Sequence, residues 1–490
     1  MLPLSACSSG TEDQPTDAAD TTVAAETTEP ATESTETGRA DVKDNLPADL
    51  NLGGEVINIL GRNADNIMKF DIVGTDNTGE LVYDAVWERN ARVKERLNVE
   101  LNVIPSQSTS LNDLKREMQQ TVMAGAGDFD LFITSNNSIV QFGMVAYLRT
   151  FNNAPYLDFE QPWWWTESML DISLDGKTIQ YLIGDILPFN ILTSSVVYAN
   201  KDIWQNHFGD PEQMYDLVEN GEWTLDTFAQ YSRDVYEDVN GDGVLDKGDV
   251  VGFYGNEYQT IDYLAAGSDL FFCVRGEDGT VSLNPPDERA VDFVELLINL
   301  FYNENASVIT AGSVESEFVP AFTEGRCLFL PDVLQTATKA AMRDMESDYA
   351  ILPVPKYDEN QAQYKTDVYG HSTNASVPVT VDDKKFESVC AVLEALCAES
   401  YRSVTDKLYE VALKGKYARD ARSAQMLDLI LSCTCKDFAN EYSNRLASIN
   451  NTFHTAVAQK NAAVVSTYQT LAKKAQSGLD SLMKELAKIQ

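Results

Sequence analysis

An α/β protein of two lobes is what the sequence predicts, and three observations predict it. From residue 55 to residue 134, strand-type and helix-type patterns alternate with short links, the mark of a parallel sheet flanked by helices. A second alternation starts after TSSVVYANKDIW (193–204). Beyond it lies SDYAILPVPKYDENQAQY (347–364), extended and proline-marked, as a connection between lobes would be. The chain's 490 residues, 44% hydrophobic and 10% aromatic, are enough for more than one core.

The elements follow in order. The chain opens MLPLSACSSG, in which Leu4-Ser5-Ala6-Cys7 has the form of a bacterial lipobox. Small residues admit a signal peptidase, and the Cys7 thiol then carries the lipid; the alternative is an ordinary cysteine in a floppy terminus. Residues 1–7 lack the basic and long apolar parts of a signal peptide and read as a truncated one. Residues 8–48 are mostly Thr, Glu, Ala, Asp, Ser and Pro, with few large aliphatic side chains. Such a segment cannot offset its chain entropy by burial, so a disordered, self-repelling acidic tether is expected.

Ordered structure is expected from about Gly53. EVINIL (55–60) is a short apolar strand. Leu81, Ala85, Arg89, Val93 and Leu97 then share one helical stripe. VELNVI (99–104) alternates as a strand, 111–124 returns to helical spacing, and GDFDLFIT (127–134) is the next strand. In such sheets ligands bind where loops leave the carboxyl ends of the strands. That singles out Gly61-Arg62-Asn63 and Ser135-Asn136-Asn137. The second pattern predicts helices at 223–237 and 287–301 and strands near 250–254 and 326–330. Helices at 383–398 and 401–413 follow. The chain ends in a long amphipathic helix, with Tyr468, Leu471, Ala475, Leu479, Leu482, Leu486 and Ile489 on one stripe; packing on its own domain is preferred to a coiled-coil seam.

Charge narrows the function. A formal net charge of −39 repels phosphate backbones and anionic lipid, which argues against nucleic-acid binding. It does not repel neutral ligands or cations. No apolar run approaches the roughly 18 residues of a spanning helix. The cysteines after Cys7 form no CxxC pair and have no neighbouring His, so no zinc site is expected. Buried free thiols are expected, and the spacing of the last four is also compatible with a disulfide.

DVNGDGVLDKGD (238–249) fills the ligand places of an EF-hand loop: Asp238, Asn240, Asp242, Val244 through its carbonyl, Asp246 and Asp249, with Gly243 at the turn. The loop runs directly into VVGF (250–253), so a structural calcium clip is expected rather than a sensor, with a metal-free acidic turn as the alternative.

Several phrases together resemble the extracellular solute-binding proteins of family 1, the sugar-binding group attached to ABC importers. They are YDAVWERNARVKERLNVEL (83–101), VMAGAGDFDLFITS (122–135), VVYANKDIW (196–204) with GEWTLDTFAQYSRDV (221–235), FTEGRCLF (322–329) and ILPVPKYDENQ (351–361). The resemblance implies a two-lobed periplasmic binding protein-like fold of type II, with discontinuous lobes joined by hinge strands. Lobe 1 would be 49–188 and 357–401, lobe 2 would be 189–356 and 402–490, and the crossings would lie near 184–194, 351–358 and 399–405. It further implies a monomeric lipoprotein on the extracellular face of a Gram-positive-type cytoplasmic membrane. That lipoprotein would capture a sugar or oligosaccharide and deliver it to a membrane permease.

A sugar is held by aromatic faces against its C–H surface and by carboxylates and amides on its hydroxyls. PWWWTES (162–168) places three Trp in a row, and Trp163 and Trp164 are candidates for stacking or for packing near the hinge. The resemblance adds Arg62, Asn63, Ser135, Asn136, Asn137 and Asp185 as cleft residues. Tyr258 and Asp332 join them from the second lobe, and Tyr369 and His371 at the mouth. A cationic or peptide ligand on the same fold is the main alternative. A glycoside hydrolase using two carboxylates is a lesser one, because nothing marks a catalytic pair and no G-x-S-x-G, P-loop or H-E-x-x-H is present.

Overall fold

A computed structural model describes Arg39–Ile489, apart from residues 63–65, 77, 109, 136–138, 142, 313, 369 and 371, and apart from the side chains of 66, 315, 416 and 417. The predicted lipidation site Cys7 and cleft residues Asn63, Asn136, Asn137, Tyr369 and His371 lie outside the described residues.

The first lobe begins with β1 (Glu55–Gly61), β2 (Val99–Pro105) and β3 (Leu131–Ser135). The second holds β4 (Ser195–Asn200), β5 (Val251–Asn256), β6 (Ser307–Thr310), β7 (Cys327–Val333) and β8 (Tyr349–Leu352). The chain then makes β9 (Thr366–Asp367), returns to the first lobe as β10 (Thr373–Ser376), and later adds β11 (Thr434–Cys435). Sheet order is β10-β3-β1-β2 in the first lobe and β8-β4-β7-β5-β6 in the second. β1 runs parallel to β2 and β3, whereas β10 is antiparallel to β3. All six residues of β4 are buried, as expected for a strand covered on both faces.

Local chemistry sets the helix ends. α1 (Leu81–Leu97) buries Val82, Ala85, Val86, Arg89, Val93 and Leu97 and stops at Asn98, whose φ of 48° is left-handed. α2 (Leu111–Ala124) starts where the Asp113 amide donates to Ser110 Oγ at 3.1 Å. β3 begins four residues later than its sequence pattern suggests. There Asp130 turns its carboxylate onto the Asn58 amide at 2.8 Å and lies 3.5 Å from Lys385 Nζ, which fixes the turn before the strand. α3 (Gln259–Gly267), α4 (Asp383–Glu399), α5 (Ala421–Ser432) and α6 (Val464–Leu486) complete the helices that position the site. The six described cysteines are all free thiols.

The passages between lobes are drawn together. Ser194 bridges Val368, and β9 pairs in parallel with β11. The first passage runs up to Ser194. The second comes later than the expected 351–358, because 353–365 stays on the second lobe: Lys356 N donates to Trp223 O at 3.1 Å and Tyr364 Oη to Val218 O at 3.0 Å. The third also comes later than 399–405. Arg92 holds Glu399 at 2.5 Å and Ser403 at 2.9 Å, keeping π-wound turns at Ser400–Val404 and Lys407–Tyr417 against α1. The chain joins the second lobe at Asp420, where Lys201 Nζ donates at 2.8 Å. Residues 402–417 therefore pack with the first lobe. α6 packs on the second lobe through Tyr468 against Phe272 and reaches Gly143 of the first through Leu482.

Candidate functional site

Pairing places the carboxyl ends of both sheets at the hinge. Ser135 at the end of β3 pairs with Thr373, five residues past Val368, and Val333 at the end of β7 pairs with Ser195, next to Ser194. Loops leaving those ends therefore border the boundary between the lobes. Arg62 stands half-buried at the end of β1 and Ser135 is buried at the end of β3. Asp332 is buried and accepts from Thr336 Oγ1 at 2.7 Å. After β5, Tyr258 is 51% exposed and meets His454 edge-on at 5.5 Å between ring centroids. His454 Nε2 lies 2.8 Å from Asp262 Oδ1. Burial alone would lower the His454 pKa, but Asp262 reverses that and leaves it raised.

A cavity of about 600 Å³ opens where α5 faces residues 159–168 of the first lobe. Of the three consecutive tryptophans, Trp163 is sealed in the core beside Tyr401. Trp164 and Trp165 line the cavity. Trp164 Nε1 donates to Glu394 at 3.0 Å, and Trp165 Nε1 donates to Asp185 Oδ1 at 3.0 Å. Thr405 Oγ1 donates to the other Asp185 oxygen at 2.8 Å. Burial nevertheless pushes the Asp185 carboxyl up to about 6. Tyr401, Tyr409 and Asp428 complete the polar and aromatic walls, with the Arg39 guanidinium 4.8 Å from the Tyr401 ring centre. A second cavity of about 560 Å³ runs between Phe70 and Tyr83 of the first lobe and Gln335 and Lys339 of the second.

The structure places Arg62, Ser135, Asp185, Tyr258 and Asp332 near strand or hinge ends; of these, Asp185 lines the first cavity and none lines the second. Sequence reasoning missed Trp165, Tyr401 and Thr405, and it gave no role to Asp262 or His454. The stretch 399–409 carried no signal beyond helical spacing.

In the loop 238–249 the side-chain oxygens lie on the loop's own amides. Asp238 accepts from Gly241 at 2.7 Å and Gly243 at 3.0 Å, and Asp242 accepts from Val244 at 2.7 Å. Asp246 accepts from Gly248 at 2.6 Å. Gly241 and Gly243 sit at φ of 73° and 70°, which the turn requires. Among the described residues no three His, Cys, Asp or Glu side chains gather into a metal-binding set.

No family model matches the sequence, and no curated protein matches it. Solved structures do match in fold. The cyclic α-maltosyl-1,6-maltose binding protein of Arthrobacter globiformis is 11% identical, with a TM-score of 0.57 over 88% of this chain and 100% of that one. The lacto-N-biose complex of the galacto-N-biose/lacto-N-biose I-binding protein of Bifidobacterium longum gives 11% and 0.57 over 88% and 98%. Maltose-bound MalE3 of T. maritima gives 13% and 0.52 over 86% and 99%. The fold is thus that of the two-lobed substrate-binding proteins.

Proposed function

We propose that this chain captures a sugar or oligosaccharide between its lobes and delivers it to a membrane permease of an ABC importer. The observation that carries the reading is the architecture: two sheets whose carboxyl ends meet at hinge strands, in the fold that the sugar-binding proteins named above share. A solute touching both lobes stabilises the closed form by its differential affinity, and the closed form is the one a permease reads. Binding without a catalytic step is part of this proposal. So is a monomer on the extracellular face of the membrane; among the described residues no helix is long and apolar enough to cross it. The anchor would be a lipid on Cys7, and mass spectrometry of protein extracted from its native membrane is expected to find it there. An unmodified Cys7 removes the anchor.

Small-angle scattering is expected to show a smaller radius of gyration with a bound saccharide such as maltotriose or lacto-N-biose. No contraction with a saccharide shown to bind overturns the hinge mechanism. Tyr258→Ala and Trp165→Ala locate the seat: loss of affinity in the first alone puts the sugar at the strand ends, and in the second alone puts it in the aromatic cavity.

For the loop 238–249 we propose a stabilising calcium ion, supported by the spacing of Asp238, Asn240, Asp242, Asp246 and Asp249, with the Val244 carbonyl between them. Calcium bound only by the folded state stabilises it by about 2.7 kcal/mol at a hundredfold excess over its Kd. Chelation is expected to lower Tm, and Asp242→Ala to abolish that response. A Tm indifferent to chelator ends the proposal.

A further inference from the structure

Beside the Tyr258–His454 pair lies a small cavity of about 20 Å³, room for one water-sized group. Three carboxylates from three parts of the chain line it: Asp262 on α3, Asp367 on the hinge strand β9, and Asp437 after β11. Asn440 and Asn450 share the wall, with Phe453 beneath. The nearby cations are already engaged. Lys436 is buried and its Nζ donates to Val368 O at 2.8 Å and Ser372 Oγ at 2.7 Å, with Glu441 at 3.0 Å. His454 is held by Asp262. Asp437 accepts from the Ala439 amide at 2.9 Å. Asp367 is only 4% exposed, and its Oδ2 has no hydrogen-bond partner.

A buried carboxylate oxygen without a partner is costly unless something positive completes it. We propose that this nest binds the ammonium group of a protonated primary amine carried by the captured solute, which is then an amino sugar or a similar aminated molecule. The inference rests on the reading that a solute is captured between the lobes. Three features support it over other occupants. The cavity admits an ammonium group and little more. An ammonium donates three hydrogen bonds of about 2.8 Å to separate acceptors, whereas among the described residues no acidic set gathers closely enough for a metal ion. The nest also sits on a strand that passes between the lobes, next to the exposed Tyr258, so an amine seated there leaves the rest of its solute within reach of both lobes. Burial raises Asp367 to about 8, against the opposing pull of Lys436, and Asp437 to about 7.

The test uses the full chain at neutral pH. Methylammonium chloride is expected to raise Tm relative to equal ionic strengths of tetramethylammonium chloride, which cannot donate, and of sodium chloride. Asp367→Asn is expected to remove the difference. Asp437→Asn, which keeps the acceptor for the Ala439 amide, is expected to reduce it and serves if the first variant fails to fold. Glucosamine is expected to bind at least about tenfold more tightly than methylammonium, a gap of about 1.4 kcal/mol. Equal responses to methylammonium and tetramethylammonium overturn the proposal. An equal response to sodium assigns the nest to a free metal cation, and equal affinity for glucosamine and methylammonium assigns it to free ammonium; either overturns the solute amine. Maltotriose and lacto-N-biose run in parallel: binding of these without any methylammonium effect overturns the amine subsite and leaves sugar capture standing. A methylammonium effect with no saccharide bound removes the sugar reading instead.

Discussion

Arg89→Met is expected to lower stability by about 3–5 kcal/mol, the cost of breaking a buried ionic cluster on one side. Arg89 is fully buried on α1. It donates to the carbonyls of Asp71 at 2.9 Å and Ile186 at 3.2 Å, and to Ser400 Oγ at 2.9 Å. Asp71, equally buried, accepts from the Phe189 amide at 2.8 Å and from Thr373 Oγ1 at 2.7 Å. One cluster therefore ties α1, the segment entering the first hinge passage, β10 and the end of α4. Methionine fills much of the volume but leaves those acceptors unsatisfied and removes the charge opposite Asp71. Asp71→Asn in the same chain is expected to recover part of the loss, because it removes the stranded charge and keeps an acceptor. Thermal unfolding indistinguishable from wild type would show that Arg89 is not the tie.

Tm is expected to climb by several degrees as the pH falls from about 8 toward about 5. Burial raises Asp367 to about 8, Asp71, Glu394 and Asp437 to about 7, and Asp185 to about 6, and it also raises Asp130 and Asp171. In the unfolded chain they titrate near about 4. Across the window between those values the folded state holds protons that the unfolded state has lost, so stability rises as pH falls. His454 acts in the same direction: its pKa is raised in the fold, so its contribution is present at low pH and lost as pH rises. Asp44, Glu399 and Asp420 oppose this. Burial would raise them, but Arg96, Arg402 and Lys201 respectively hold them low, so their contribution is lost only below the ordinary carboxylate range, about pH 4. Relief of self-repulsion from the −39 net charge adds to the trend. Asp367→Asn separates the two effects, since it is expected to flatten the upper end of the profile alone. A Tm that is flat or falling on acidification to about pH 5 contradicts the buried-acid account.

Periodicity and caps are local, and what depends on them was legible in the sequence. The stripe Leu81–Leu97, the helix from Leu111, the apolar run at β1 and the long C-terminal helix lie close to where their patterns placed them. So does the alternation that implies two α/β lobes. Strand-end chemistry pointed to Arg62 and Ser135 because a parallel sheet puts its loops at one edge whatever its partners are.

The tertiary structure decided the rest. Short strands such as β6 and β10 pair only with residues distant in sequence, and Thr373 finds Ser135 across nearly half the chain. The third crossing moved because Arg92 and Glu399 hold 400–417 against α1, and the second because 353–365 stays on the second lobe. Which of three adjacent tryptophans faces a cavity, and which of so many aspartates lose water, depended on what packs against them. Asp71, Asp185 and Asp367 look alike in sequence to the exposed acids around them. Their chemistry differs because burial is a property of the neighbours that folding brings together, and desolvation, unlike helical spacing, leaves no periodic trace along the chain.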